Sequence, residues 1–347
     1  MIAGDKASRV ETDLGHGFVR LRVSEADRRQ AKHDIRSVEG GLIELLRNSR
    51  DAGAKNIFVA TARTISGLRS LTVIDDGSGV PADLTRVIFE PRVTSRLSGV
   101  TDDRWGVHGR GMALFAVTTV SEKAVLQATE VGLGASIRVE FDTAKVHEKK
   151  DQSTFPKVER EKTSAVTLRG VGNLPWVVSR FALDHREIDV YFGSPAEVAR
   201  AMLVLGKKLS VGHLQLTPLW LRIAQGSGTL EIDRILLALL GEQLSERTVQ
   251  RIMSGETRPA VNVRDLLDEN LLSKQEKKVD IPRAAVNRGL SRRFSDEDLR
   301  AFAQAIGESF RHLAKKYFVR LDGTPEVLRS DSTLKVAINV IEDDEQQ

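Results

Sequence analysis

The chain has 347 residues, 41% hydrophobic and 29% charged, which suits about two domains with a sizeable buried core. It has no cysteine, so disulfides and thiolate metal sites are excluded and a reducing compartment is the expectation. A net charge of +4 permits a nucleic-acid partner without requiring one.

The opening MIAGDKASRVETDL has no apolar run of the signal-peptide kind and reads as a polar tail, part of an N-terminal arm over residues 1–36. The longest aliphatic run, ILLALL from Ile235, falls far short of the ~20 residues a membrane helix needs, so a cytoplasmic protein with no membrane partner is expected. In GGLIELLRNSRDAGA, Leu42, Ile43, Leu45 and Leu46 form the apolar spine of a core-facing helix. Glu44, Asn48 and Asp51 fall at i, i+4 and i+7, one polar stripe along that helix. Arg47 and Arg50 lie off the stripe and read as solvent-facing or interface charges.

Five β-branched runs follow, NIFVATA, SLTVID, KAVLQAT, ASIRVEF and SAVTLRG. With the intervening helical patterns they predict an α+β domain over 37–180, one sheet covered by helices. SLTVID leads into Asp75-Asp76-Gly77-Ser78-Gly79, a carboxylate at a strand mouth with two glycines that let backbone pass close to a ligand. After the polar, loop-like RVTSRLSGVTDDR, Gly106, Gly109 and Gly111 form a GxxGxG loop that runs into an apolar helix. Free amides and the helix dipole there favour a phosphate. No parallel strand precedes this loop, so it is not a dinucleotide-binding turn of the Rossmann type. HEKKDQSTFPKVEREKT, from His147, reads as an exposed excursion before the last strand.

Past Asn173-Leu174-Pro175 the pattern turns mainly helical, giving a C-terminal region over 181–347 with one short strand at EIDVYFG. SPAEVARAMLVLGKKLS has Ser194 as cap and Pro195 at the first helical position. LEIDRILLALLGEQ and LSERTVQRIMSG continue the pattern, with Gly255 as a C-terminal cap. A long helix begins at FSDEDL, where Ser295 and Asp298 have capping-box spacing and Leu299, Phe302, Ile306, Phe310 and Leu313 recur on one side.

Taken in order, ELLRNSRDAGA, IDDGSGVP and GVHGRGMA resemble the asparagine box and the two glycine boxes of the GHKL ATPases (gyrase, heat-shock chaperone, histidine kinase, MutL), which share the Bergerat nucleotide fold. The resemblance covers about Gly40 to Pro175 and implies ATP and Mg²⁺ as cofactors. It implies that Glu44 activates the attacking water, that Asn48 binds Mg²⁺, and that Asp75 accepts from the adenine amino group, with Asp51 supporting the pocket. VTSR places Thr94 and Ser95 where MutL-like members carry Thr-Ser-Lys. Gly106, Val107, His108, Gly109, Arg110 and Gly111 would form the end of an ATP lid. In TSAVTLRG, Ser164 stands where the family often has Gly-Thr, keeping a hydroxyl but not the glycine. The chemistry is sound on first principles: phosphoryl transfer needs positioned charge and an oriented water, and Mg²⁺ takes oxygen ligands.

The family couples ATP to dimerisation or to phosphotransfer. A histidine kinase needs a phosphoacceptor helix upstream, and the arm offers only His16 and His33 without a two-helix dimerisation pattern. LSERTVQRIMSGETRP reads either as the recognition helix of a helix-turn-helix, with Arg247, Gln250 and Arg251 exposed, or as an ordinary helix buried on Val249 and Ile252. Together with FSDEDLRAFAQAI it resembles the helix-two-turn-helix module of the topoisomerase VI B subunit. Arg247, Arg251, Lys277, Lys278, Arg292 and Arg293 make a candidate duplex-DNA surface, and Lys207 and Lys208 are the candidates for a switch lysine. The two tyrosines, Tyr191 and Tyr317, have no acidic cluster beside them, so a separate catalytic subunit would supply any DNA-cleaving nucleophile. The expectation is a slow Mg-dependent ATPase acting as an ATP-gated homodimer in a DNA-processing complex of the type IIB topoisomerase B kind. The alternatives are an ATP-switched regulator without a DNA role and a GHKL protein kinase.

Overall fold

The computed structural model describes residues 10–95, 101–108, 111–160, 166–209, 217–273, 294–314, 317, 319–330 and 333–342. The stretch expected as a polar tail contributes a strand, β1 (Val10–Gly15), paired antiparallel with β2 (Phe18–Leu21). Helix α1 (Glu25–Asp34) follows, started by a capping box in which the Ser24 hydroxyl accepts from the Asp27 N–H at 3.1 Å and the Asp27 carboxylate accepts from the Ser24 N–H at 3.0 Å. Ser37 caps α2 (Val38–Asp51), its hydroxyl accepting from the Gly40 N–H at 3.1 Å.

NIFVATA and SLTVID become β3 (Asn56–Arg63) and β4 (Arg69–Asp75). Short strands β5 (Val93–Thr94), β6 (Thr101–Asp103) and β7 (Gly106–His108) precede α3 (Ala113–Val120), and KAVLQAT and ASIRVEF form β8 (Lys123–Glu130) and β9 (Gly134–Phe141). The fifth run behaves differently. Its described part, β11 (Val166–Arg169), pairs only with β10 (Lys157–Arg160) in a separate ribbon. Hence the excursion from His147 is not simply exposed: Val146 and Val158 are buried, and the Glu39 carboxylate accepts from the Lys149 N–H and the Gln152 amide.

After α4 (Leu174–Asp184), the run EIDVYFG forms β12 (Asp189–Gly193), which lies parallel to β3. With β13 (Val261–Asn262) it completes a six-stranded sheet of order β13-β12-β3-β4-β9-β8. The fold is α+β as expected, and helices cover both faces of this sheet. Alternation along β3 sends Ile57 and Val59 to a core shared with α2, α3 and α4, and Phe58 and Ala60 to a second core. The second core is closed by α5 (Pro195–Leu209), the turn Leu219–Ala224, α6 (Thr229–Leu240) and α7 (Glu246–Ser254). Three polar side chains on that face receive the end of α6: Ser136 donates to the Leu239 carbonyl, and Thr72 and Arg138 donate to the Leu240 carbonyl. These carbonyls have no partner within the helix, so the sheet satisfies what the chain's last turn leaves open.

Because β12 and β13 belong to the same sheet as β3, the compact unit runs from Met1 to Ser273, through α8 (Val263–Ser273), and the boundary expected after residue 180 does not divide the structure. The second unit, Lys274–Gln347, holds α9 (Asp296–Ala314), with the Ser295–Asp298 capping box in place. Leu299 is buried there, but Phe302 is exposed, so the apolar stripe is narrower than its spacing implies. Past α9, a region expected to be helical carries four short strands, β14 (Val319–Leu321), β15 (Glu326–Ser330), β16 (Thr333–Ala337) and β17 (Val340–Glu342), paired as β14–β17 and β15–β16. Lys277, Lys278, Arg292 and Arg293 lie outside the described residues.

The second core has a clear keystone. Trp220 is 1% exposed and sits 5.1 Å, centroid to centroid, from Phe58 of β3. Trp220→Ala is expected to destabilise the first unit by about 3–5 kcal/mol, read as a shift of the denaturant midpoint at unchanged slope.

Candidate functional site

The polar stripe of α2 opens onto a cleft that encloses ≈ 1040 Å³ of space, part of it open to solvent. Glu44, Asn48 and Asp51 line it from α2, Asp75 and Gly79 from the end of β4, Thr94 and Ser95 from β5 and the residue after it, and Gly111 from the approach to α3. The structure thus brings together residues separated by up to 67 positions in the chain, from Glu44 to Gly111. Ala113 and Leu114, the first residues of α3, also face the cleft, and no side chain caps that helix. Its first-turn amides are therefore available to an anion.

Asp75 is buried at the floor. Its carboxylate accepts from the Ser49 hydroxyl at 2.7 Å and from the Gly77 N–H at 2.9 Å, and burial pushes its pKa up against these two bonds. Gly77 supports Asp75 but does not line the cleft. Asp76 turns away and closes the start of β3, accepting from the Lys55 and Asn56 backbone N–H groups. Gly79 has φ +64, and a Cβ there would lie 2.1 Å from the Glu130 carbonyl oxygen. The close approach that requires this glycine is to the β8–β9 turn, not to a ligand.

Asn48 is half-buried, and its Nδ2 is buried with no hydrogen-bond partner among the described residues. Such an orphaned donor on a cleft wall suits a ligand oxygen. Glu44 is held by Arg47: Nη1 donates to Oε1 at 2.7 Å. Burial raises the Glu44 carboxyl above its ordinary range, and Arg47 opposes that rise. Arg47 is itself 3% exposed, which overturns its reading as a surface charge. Its guanidinium also donates to both Asp103 oxygens, from Nε at 3.1 Å and from Nη2, and Nη2 donates to the Gly106 carbonyl at 3.0 Å. Arg50 is likewise drawn in, bonding Asp51 at 2.9 Å and reaching Asp103 at 3.5 Å.

Gly106, Val107 and His108 form β7, paired with β6. Gly109, Arg110 and Ser164 lie outside the described residues. Lys207 and Lys208 are exposed at the end of α5. Tyr191 is buried against Phe58 with ring centroids 4.7 Å apart, and burial pushes its phenol up to about 12. Tyr317 stands past the end of α9 and is 63% exposed. Among the described residues no helix is long and apolar enough to cross a membrane, and no group of three or more His, Asp or Glu could hold a metal alone.

Residues 35–172 match the family described as histidine kinase-, DNA gyrase B-, and HSP90-like ATPase. This segment is a GHKL ATPase domain, a class that binds ATP. Curated relatives are DNA mismatch repair proteins MutL. That of Buchnera aphidicola subsp. Schizaphis graminum is 38% identical over 89 residues, 25% of this chain and 15% of the relative. That of Pediococcus pentosaceus is 34% identical over 96 residues, 27% of this chain and 15% of the relative. That of Staphylococcus aureus is 27% identical over 183 residues, 49% of this chain and 27% of the relative. The chain spans about a quarter or less of the length of these relatives.

Proposed function

We propose that this chain is a slow, Mg-dependent, cytoplasmic ATPase that works as an ATP-gated homodimer in a DNA-processing complex, in the manner of MutL or of a type IIB topoisomerase B subunit. The observation that carries the ATPase reading is the convergence of Glu44, Asn48 and Asp75 on one cleft whose far wall is the uncapped start of α3. In this reading Asp75 accepts from the adenine amino group, which selects adenine over guanine. The α3 amides hold phosphate oxygens. Glu44 takes a proton from the attacking water. The carboxamide of Asn48 fits a Mg·triphosphate, because its oxygen would be a neutral ligand to the hard cation while its unpartnered Nδ2 would donate to a phosphate oxygen. Bound Mg²⁺ would neutralise charge on the transferred phosphoryl group.

The DNA role is supported by the similarity to DNA mismatch repair proteins and by α7, where Val249 and Ile252 are buried and Arg247, Gln250 and Arg251 are exposed. Any DNA cleavage would fall to a separate catalytic subunit. The test is light scattering with and without a non-hydrolysable ATP analogue, alongside ATP binding and duplex-DNA binding at two salt concentrations. A dimer appearing only with nucleotide, and DNA affinity that falls steeply with salt, are the expected results. An unchanged monomer refutes the gate. Absence of DNA binding even at low salt moves the reading to an ATP-switched regulator, and absence of ATP binding refutes it altogether.

A further inference from the structure

The hairpin β6–β7, whose second strand holds the first glycine of the glycine-rich loop, is docked on the helices beside the cleft at three points. Asp103 takes Arg47 in a two-pronged pair and is within 3.5 Å of Arg50. Trp105 meets Trp176 of α4 edge to face, with centroids 5.6 Å apart. Arg104 lies 3.6 Å from Asp184. The hub is Arg47, whose guanidinium spends four hydrogen bonds on three residues: Glu44 in the cleft, and Asp103 and Gly106 in the hairpin. A planar fork of fixed geometry holds its partners in a fixed relation, which a lysine ammonium would not do.

We propose that Arg47 is a positioning residue that ties the docked hairpin to the orientation of Glu44, so that the carboxylate is set for hydrolysis only while the hairpin is down. This rests on the ATPase reading above. The coupling is mechanical. If the hairpin releases, the guanidinium loses three of its four bonds, two to Asp103 and one to Gly106, and nothing else described holds Oε1 of Glu44. The link therefore joins the hairpin to the group that acts on water, through one side chain.

Asp103 does not line the cleft, so its effect on turnover passes through the arginines it holds, and Arg47 takes the two-pronged pair while Arg50 is reached only at 3.5 Å. In the full-length protein, Asp103→Asn and Arg47→Gln are each expected to lower kcat by about 10–100-fold, with KM and ATP affinity changed by no more than about threefold. The double variant should be no worse than the worse single one, because the two residues act as one unit. Tryptophan fluorescence should report hairpin release in Asp103→Asn through the Trp105–Trp176 contact. Equal additive losses in the double variant, or a rise in KM with kcat unchanged, would overturn the proposal and make Arg47 a phosphate-binding residue instead. Should Arg47→Gln fail to fold, the more exposed Asp103→Asn still decides through its kcat and KM. A parent protein that neither binds nor hydrolyses ATP would refute the ATPase reading itself, a result separate from any of these.

Discussion

Glu44→Ala is expected to bind Mg·ATP within about twofold of the parent and to hydrolyse it about 10²–10⁴-fold more slowly, the range lost with a positioned general base. Glu44 makes its one described hydrogen bond to Arg47 and faces the cleft, so its removal leaves the base and triphosphate contacts in place. Asn48→Ala should do the reverse, weakening Mg·ATP binding by about tenfold or more, since a ligand to a charged group is lost. Equal loss of binding in both variants, measured by titration against a fluorescent ATP analogue, would refute this division of roles. A pH profile adds a second check. The base must be ionised, and burial raises its pKa, so turnover should fail on the acid side at a pH above the ordinary glutamate range. An acid limb at or below that range would mean that another group sets it.

Asp75→Asn should abolish useful ATP affinity, with a fall of about 100-fold or more. The carboxylate can accept from Ser49, Gly77 and an incoming adenine amino group together, because it is acceptor-only on both oxygens. An asparagine replaces one of those acceptors with a donor; the Ser49 hydroxyl can turn to accept it, but the Gly77 N–H and the adenine amino group cannot. A buried mismatch of that kind costs the full desolvation of the unpaired groups. The measurement is ATP and GTP titration of parent and variant. An unchanged ATP affinity, with the fold intact by circular dichroism, would remove Asp75 from the adenine site.

The stripe on α2 and the turn after β4 were legible because their signals are local. Period 3.6 places Glu44, Asn48 and Asp51 on one side, and a strand ending in Asp75 with glycines following needs no distant information. Arg47 was not legible, since its partner Asp103 stands 56 residues away in a stretch that read as a polar loop. Only the folded chain shows that the loop forms a hairpin that lies on the helix. SAVTLRG and EIDVYFG are both short β-branched runs, and nothing local says that the second joins the sheet and the first does not. That choice is made by the second core, where Tyr191 of β12 stacks on Phe58. Thr72, Ser136 and Arg138 gave the sheet a partly polar face, which reads as solvent-facing until the end of α6 arrives to use their hydrogen bonds.

The shared sheet has a thermodynamic corollary. Ile74 packs into the far core, and its neighbour Asp75 reaches the cleft, so one strand is a wall of both compartments. A ligand that binds only the folded protein adds about 2.7 kcal/mol when it is present at a hundredfold excess over its Kd. That increment cannot be confined to the segment that matches the ATPase family, because α5, α6 and α7 melt only with the sheet they cover. Nucleotide bound in the cleft is therefore expected to raise the melting temperature of helices it never touches.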